Sequence, residues 1–172
     1  MKEIKTYIIE KLKVTKYYTL FPKSSDELKQ IIKDETSKKG INCSLNHIDV
    51  SEITDMSELF YGSNFNGDIS EWDVSNVKDM KVMFCKSKFK GDISEWDVSR
   101  VKDTTGMFKE SKFNGDISAW NVSNVENMER MFAWSEFKGN ISNWDVSNVT
   151  NMSYMFYNSP LENNPPKWYK KI

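Results

Sequence analysis

The chain has 172 residues, with 24 basic and 25 acidic side chains, a formal net charge of -1 and a sequence pI near 5.9. That balance leaves no broad basic field, which argues against nucleic acid as a partner. A mean hydropathy of -0.63 beside 13% aromatic residues describes a folded domain with a polar surface, and a single histidine, His47, with no C-x-x-C pair excludes a zinc site.

Residues 1–40 read as a capping segment. The opening stretch, MKEIKTYIIEKLKVTKYYTLF, carries charge throughout. It holds no apolar run of signal-peptide length, and no segment of the chain approaches a membrane span; on sequence alone the expected location is the cytoplasm. Ile4, Ile8, Ile9 and Leu12 approximate helical spacing, and Tyr17 to Phe21 reads as a short strand ended by Pro22. Ser24-Ser25-Asp26-Glu27 then predicts a helix over about 25–39, with Ser24 as N-cap and Glu27 in the capping-box position. Leu28, Ile31 and Ile32 form its apolar stripe. Lys38 and Lys39 suit its negative end, and Gly40 suits the C-cap.

Residues 41–160 carry a repeat. Trp72, Trp96, Trp120 and Trp144 stand 24 residues apart, and one more step reaches Trp168. Of nine methionines, eight fall on two registers: Met56, Met80, Met128 and Met152, and Met83, Met107, Met131 and Met155. Nine of ten phenylalanines do likewise, in the registers of Phe60 and Phe65. Ile69, Val74 and Val77 head three further columns. A single unit of this length cannot bury such residues alone, so stacked neighbours must. The first coil is degenerate, with Ile41, Leu45, Ile48 and Val50 in the registers of Phe65, Ile69, Trp72 and Val74.

Within each unit, DISEWDV reads as a short strand. SNVKDMKVMF places Val77, Met80, Met83 and Phe84 on one helical face behind Ser75 as N-cap. Gly67, Gly91, Gly115 and Gly139 mark the turn between units. The expected fold is therefore an α/β repeat solenoid: a right-handed, leucine-rich-repeat-like coil of five turns, one short strand plus one short helix per repeat, behind an N-terminal helical cap. Thr104 and Gly106 replace bulkier residues, which predicts a locally weaker third coil. Residues 161–172 read as a C-terminal lid carrying Trp168, with Lys170-Lys171 solvated. Cys43 and Cys85 are not separated by a whole number of repeats, so two isolated thiols are expected.

FNGDISEWDVSNV followed by MF resembles the repeat of BspA-like leucine-rich-repeat proteins over about residues 41–160. The P-K-S-S-D-E-L-K and L-N-H-I-D-V-S stretches resemble that family's lead-in. The resemblance implies a leucine-rich-repeat-type fold, found on bacterial surfaces and associated with adhesion and protein binding. It implies no enzyme activity, no cofactor and no catalytic residue, and the family's secretion signal and lipid-anchor cysteine are not recognised here.

Two groups of residues are candidates for function. The polar ladder Asp73, Asp97, Asn121 and Asp145, beside Glu71, Glu95 and Asn143, is open to three readings: a binding face, a cation site, or bonds to nearby backbone N–H groups. The second group is aromatic. Trp134 is the one tryptophan off register, and Tyr154 and Tyr157 follow one coil later, a pattern suited to a contact hot spot. Lys78, Lys81, Lys86, Lys88, Lys90 and Lys102 concentrate positive charge on coils two and three. The sequence thus predicts a monomeric, non-enzymatic module that binds another protein. A cytoplasmic or mobile-element-encoded inhibitor or immunity factor that binds one protein is one alternative, and a structural protein that stacks end to end is another.

Overall fold

A computed structural model describes residues 6–9 and 14–170. The chain opens with an antiparallel pair, β1 (Thr6–Ile9) and β2 (Val14–Tyr17), in which Thr6 faces Tyr17 and Ile9 faces Val14. Ile8 and Ile9 are thus in a strand, not on a helical face; Ile4 and Leu12 lie outside the described residues. The strand expected over Tyr17 to Phe21 is displaced: β2 ends at Tyr17, and Leu20 makes one parallel bridge to Ile48.

The helix α1 (Ser25–Lys39) forms where its caps dictate. Ser24 Oγ accepts the Glu27 N–H at 3.2 Å, and the Glu27 carboxylate reaches back to the Lys23 N–H at 2.8 Å. A cap of this kind contributes about 1 kcal/mol. Gly40 closes the helix at φ 88°, its N–H bonded to Thr36 O at 2.9 Å. Leu28 and Ile32 are buried in the core of the first coil. Ser25 Oγ donates to Asp55 O. The buried Glu35 carboxylate accepts from Lys39 and pairs with His47 at 2.9 Å. The Lys39 bond, with His47 behind it, holds that carboxyl below its ordinary range against the opposing effect of burial.

The repeats stack, but not as one strand plus one helix each. Among the described residues, extended strand is confined to β1 and β2, and helix to α1. The α/β solenoid expected from the sequence is therefore incorrect. Each repeat is a run of turns, joined to its neighbours by single parallel bridges along Asp55, Asp79, Asp103, Asn127 and Asn151. Two physical causes account for this. In DISEWDV, side-chain oxygens of Asp68 and Asp73 capture the Ser70 and Ser75 N–H groups at 3.0 and 3.1 Å, and the Trp72 N–H turns back to Ile69 O. Those donors are lost to a sheet. In KDMKVMFCK, alternate N–H groups leave the coil. Those of Met80, Val82, Phe84 and Lys86 donate to Asp103, Thr105, Met107 and Lys109 of the next coil at 2.8–2.9 Å, while Met83 and Cys85 bond three residues back. A helix needs all of these donors for itself.

The core columns run as the repeat demands. Phe60, Phe84, Phe108, Phe132 and Phe156 stack with centroids 5.4, 5.6, 5.7 and 5.9 Å apart, within 7° of parallel. Along the Phe65 column the steps are 6.2–6.3 Å, and Trp72–Trp96 and Trp144–Trp168 are 6.4 and 6.5 Å apart. Like rings in successive units report the local step, so the coils fan, closer on the Phe60 side than on the Trp side. Each register tryptophan, Trp168 included, donates its indole N–H to the carbonyl 27 residues earlier at 3.0–3.2 Å. The tail thus continues the column with its own tryptophan. The end of the tail, Lys171 included, lies outside the described residues.

Two smaller expectations change. Ile41 is 49% exposed and does not join the Phe65 column. The repeat glycines are held by close packing more than by a turn: a Cβ on Gly115 would meet Phe113 ring atoms at 2.8 Å, and one on Gly67 would run into the Cys43 carbonyl oxygen. Gly106 has φ 60°, a conformation that a residue without a Cβ adopts at no steric cost. Cys43 and Cys85 are free thiols.

Candidate binding surface

The strip on the closely stacked side of the coils has an unusual backbone. Ten positions in two columns have φ between 47° and 63°: Glu58, Val82, Gly106, Arg130 and Tyr154, and Gly62, Lys86, Glu110, Trp134 and Asn158. For L residues this left-handed conformation costs roughly 1–2 kcal/mol, and glycine is spared that cost. Yet only two of the ten are glycine. The hydrogen-bond ladder imposes the conformation, because Val82 and Lys86 must aim their N–H groups at the next coil.

Each of these columns holds five different residues in five coils, beside core columns of repeated phenylalanine, methionine and valine. In the last two coils the occupants are large and exposed. Trp134 and Tyr157 meet edge to face at 4.9 Å, and Tyr154 meets Tyr157 at 6.0 Å and 89°. Lys109 Nζ lies 5.3 Å from the Trp134 ring centroid, and the Arg130 guanidinium lies 5.4 Å from that of Tyr154. The three rings are 41%, 57% and 45% exposed in the order Trp134, Tyr154, Tyr157. The aromatic candidates of the sequence are thus brought together.

The polar candidates have another arrangement. Glu71, Asp73, Glu95, Asp97, Asn121, Asn143 and Asp145 are all exposed. Asp73, Asp97, Asn121 and Asp145 each turn a side-chain oxygen onto the N–H two residues ahead, at 3.0–3.2 Å, and the Glu71 backbone N–H donates to Asn46 Oδ1. The bonds from Ser99 and Ser147 hold the Asp97 and Asp145 carboxyls below their ordinary range. One oxygen per residue is enough for such a turn, which is why Asn121 serves as well as an aspartate. Of the open readings, local backbone bonding is the one these contacts describe.

Residues 26–134, and again 85–170, match the family described as Mycoplasma protein of unknown function, DUF285. The chain belongs to the DUF285 family. No curated protein and no solved structure matches it. The family is a repeat family, and its description carries neither a leucine-rich repeat nor a surface role over to this member.

In this DUF285 chain the charge gathered on coils two and three is partly neutralised by nearby carboxylates. Lys86 faces Glu110 at 3.8 Å, Lys102 faces Glu126 at 2.8 Å, and Lys81 faces Asp79 at 3.7 Å. Among the described residues no helix is long and apolar enough to cross a membrane. Sequence reasoning picked out Tyr154 and Gly106 separately but missed the column they form with Glu58, Val82 and Arg130. Its signal was present: it contains a glycine and otherwise refuses to repeat.

Proposed function

We propose that this chain is a non-enzymatic protein-binding module that meets its partner with the two left-handed columns, anchored by Trp134, Tyr154 and Tyr157. The observation that carries this reading is the pairing of backbone strain with sequence variety. The hydrogen-bond ladder holds these strained residues in place whatever their side chain, and exposed tryptophan and tyrosine are the side chains that anchor interfaces. The fixed columns fill the core; the variable ones are free to differ because their side chains face outward. Enzymatic work finds less support, since the ordered carboxylates of the Asp68 and Asp73 columns are engaged by neighbouring N–H groups. Adhesion-type and inhibitor-type roles both fit such a patch, and the identity of the partner separates them.

The test exploits the strain. Trp134→Gly with Tyr154→Gly loses ring contacts but relieves two left-handed residues, so thermal stability stays within about 1 kcal/mol of wild type. Capture of a partner from the native cell is abolished. Unchanged capture at unchanged stability sinks the proposal, and a large loss of stability shows that the rings are core.

A further inference from the structure

A polar cavity of about 360 Å³ lies between the fifth coil and the tail. One wall runs from Lys138 to Ser142, and the other is Leu161 with Asn164 to Lys167. The walls are fixed to each other, because the Trp168 indole donates to Ile141 O at 3.0 Å and stacks on Trp144. Pro165 and Pro166 stiffen the tail wall. The coils are spread on this side: Leu45 N–H of the first coil reaches Asp68 O at 2.8 Å, and no equivalent bond joins the coils that follow. Lys138 and Lys167 stand one on each wall, and neither ammonium pairs with a carboxylate of the described residues. No carboxylate lines the cavity. The tail's one acidic side chain, Glu162, takes the Asn158 N–H at 2.8 Å.

The column that ends at this cavity changes character there. Asp68, Asp92, Asp116 and Asn140 share a register, and each accepts the N–H of the serine two residues ahead at 2.9–3.0 Å. The aspartates are close enough to act on one another. Asn140 keeps the turn with its one oxygen, removes the charge and adds an amide NH₂ that bonds to no other described residue. Ser70 Oγ donates to Asp68 at 2.8 Å, whereas the equivalent Ser142 Oγ bonds to no other described residue. The neighbouring cavity, one coil earlier and about 410 Å³, keeps Asp116 and has Lys138 as its one cation. The two cavities differ in charge more than in space.

We infer that the cavity between the fifth coil and the tail binds a phosphate group, free or carried on a small polar molecule, through Lys138, Asn140, Ser142, Asn164 and Lys167. This site is independent of the aromatic surface proposed above, since no residue of the left-handed columns lines it. The argument is charge and direction. Two ammonium groups facing one cavity without a carboxylate repel each other, and a dianion between them neutralises both. Hydrogen bonds from charged donors to such an anion are the strong kind. The oxygens of phosphate point in tetrahedral directions and can take donors from both walls at once, whereas those of a carboxylate lie in one plane. A metal ion is disfavoured by the same two cations and the lack of an acidic ligand. The volume is in the range of small-molecule sites, and the pinned walls hold the donors in place before binding.

The test is amide NMR on the full chain at constant ionic strength, titrated with inorganic phosphate, glycerol 3-phosphate, glycerol and acetate. The Gly139, Asn140, Ser142 and Asn164 amides shift saturably with the two phosphates and not with glycerol or acetate. Lys138→Gln with Lys167→Gln, both at exposed positions, leaves the denaturation midpoint unchanged and weakens binding by about tenfold or more. Asn140→Asp keeps the turn, restores the carboxylate of the earlier coils and weakens binding to a similar degree. Lys78→Gln with Lys88→Gln removes the same charge from the second coil and leaves affinity within about twofold. Tighter binding of glycerol 3-phosphate than of phosphate supports a carried group, and equal binding supports the free ion. Absent saturation, an equal response to acetate, or equal weakening by the remote lysine pair overturns the inference.

Discussion

Two sides of the same coil obey opposite rules. On the tryptophan side the side chains are fixed and the backbone is relaxed: the units after the degenerate first coil repeat the indole, and those from Ile69 to Ile141 the isoleucine and the Asx turns, and no residue there has a positive φ. On the strip from Met80 to Lys86 and its equivalents the backbone is fixed and strained, and the outward side chains change in every unit. The lesson is that a repeat can store its regularity in either layer. Where side chains stack, identity must recur from one unit to the next. Where main-chain groups stack, identity is released, and the released positions can face a partner.

The sharpest way to break this contrast is to remove a fixed side chain. Trp96→Ala deletes a buried ring that stacks on Trp72 at 6.4 Å and gives up the indole bond to Ile69 O at 3.2 Å. A loss of about 3–5 kcal/mol is expected in chemical denaturation. Trp168→Ala costs clearly less, since that ring is half-buried and has a neighbouring indole on one side only. If the two variants lose equal stability, the indole column is not what holds the coils together.

The stacking was legible in the sequence because it depends on side chains, and side chains are what a sequence prints. Trp72 to Trp168, both phenylalanine columns and the capped helix α1 are all there in the spacing. The local structure was not. Val77, Met80, Met83 and Phe84 satisfy a helical face, yet they equally satisfy a turn strip whose alternate N–H groups leave the coil. Side-chain spacing cannot tell the two apart, because main-chain partners are the same for every residue. Gly62 and Asn158 in one column, and Gly106 in the other, each among unlike neighbours, were the available sign of left-handed backbone. Of the candidate site, the aromatic group was visible from the off-register Trp134. The cations Lys109 and Arg130 became meaningful only once the coils placed them over rings.

Acid probes the Asx turns of the fixed side. The carboxyls of Asp92, Asp97, Asp116 and Asp145 are held below their ordinary range by the serine two residues ahead, and Asp68 likewise by Ser70 against the effect of burial. A group whose folded pKa lies below its unfolded value, about 3.9 for aspartate, stabilises the fold above that value. The contribution disappears as pH falls through the folded pKa. Stability should therefore be steady near neutrality and decline below about pH 4. Asp97→Asn keeps the turn, as Asn121 does with its bond from Ser123 at 3.2 Å. Its stability at pH 6 should be within about 1 kcal/mol of wild type, with a smaller fall at pH 2.5. An acid limb unchanged by the substitution would mean that other carboxylates, such as Glu35, govern it.

The smallest expected effect lies on the strained strip and is a gain. Val82 is β-branched and has φ 47°, the smallest of the ten left-handed angles. Its conformation is set by the N–H it must send to Thr105 O at 2.8 Å, so relief has to come from the side chain. Asparagine tolerates this region, as Asn158 does at φ 52°. Val82→Asn gives up part of a half-buried apolar side chain and removes most of the steric cost. The balance is a stabilisation of about 0.5–1 kcal/mol, read as a small rise in the denaturation midpoint with unchanged slope. A loss instead would show that Val82 is held by packing. The strip would then be core like the tryptophan side, and the variety of its residues would need a cause other than freedom to face a partner.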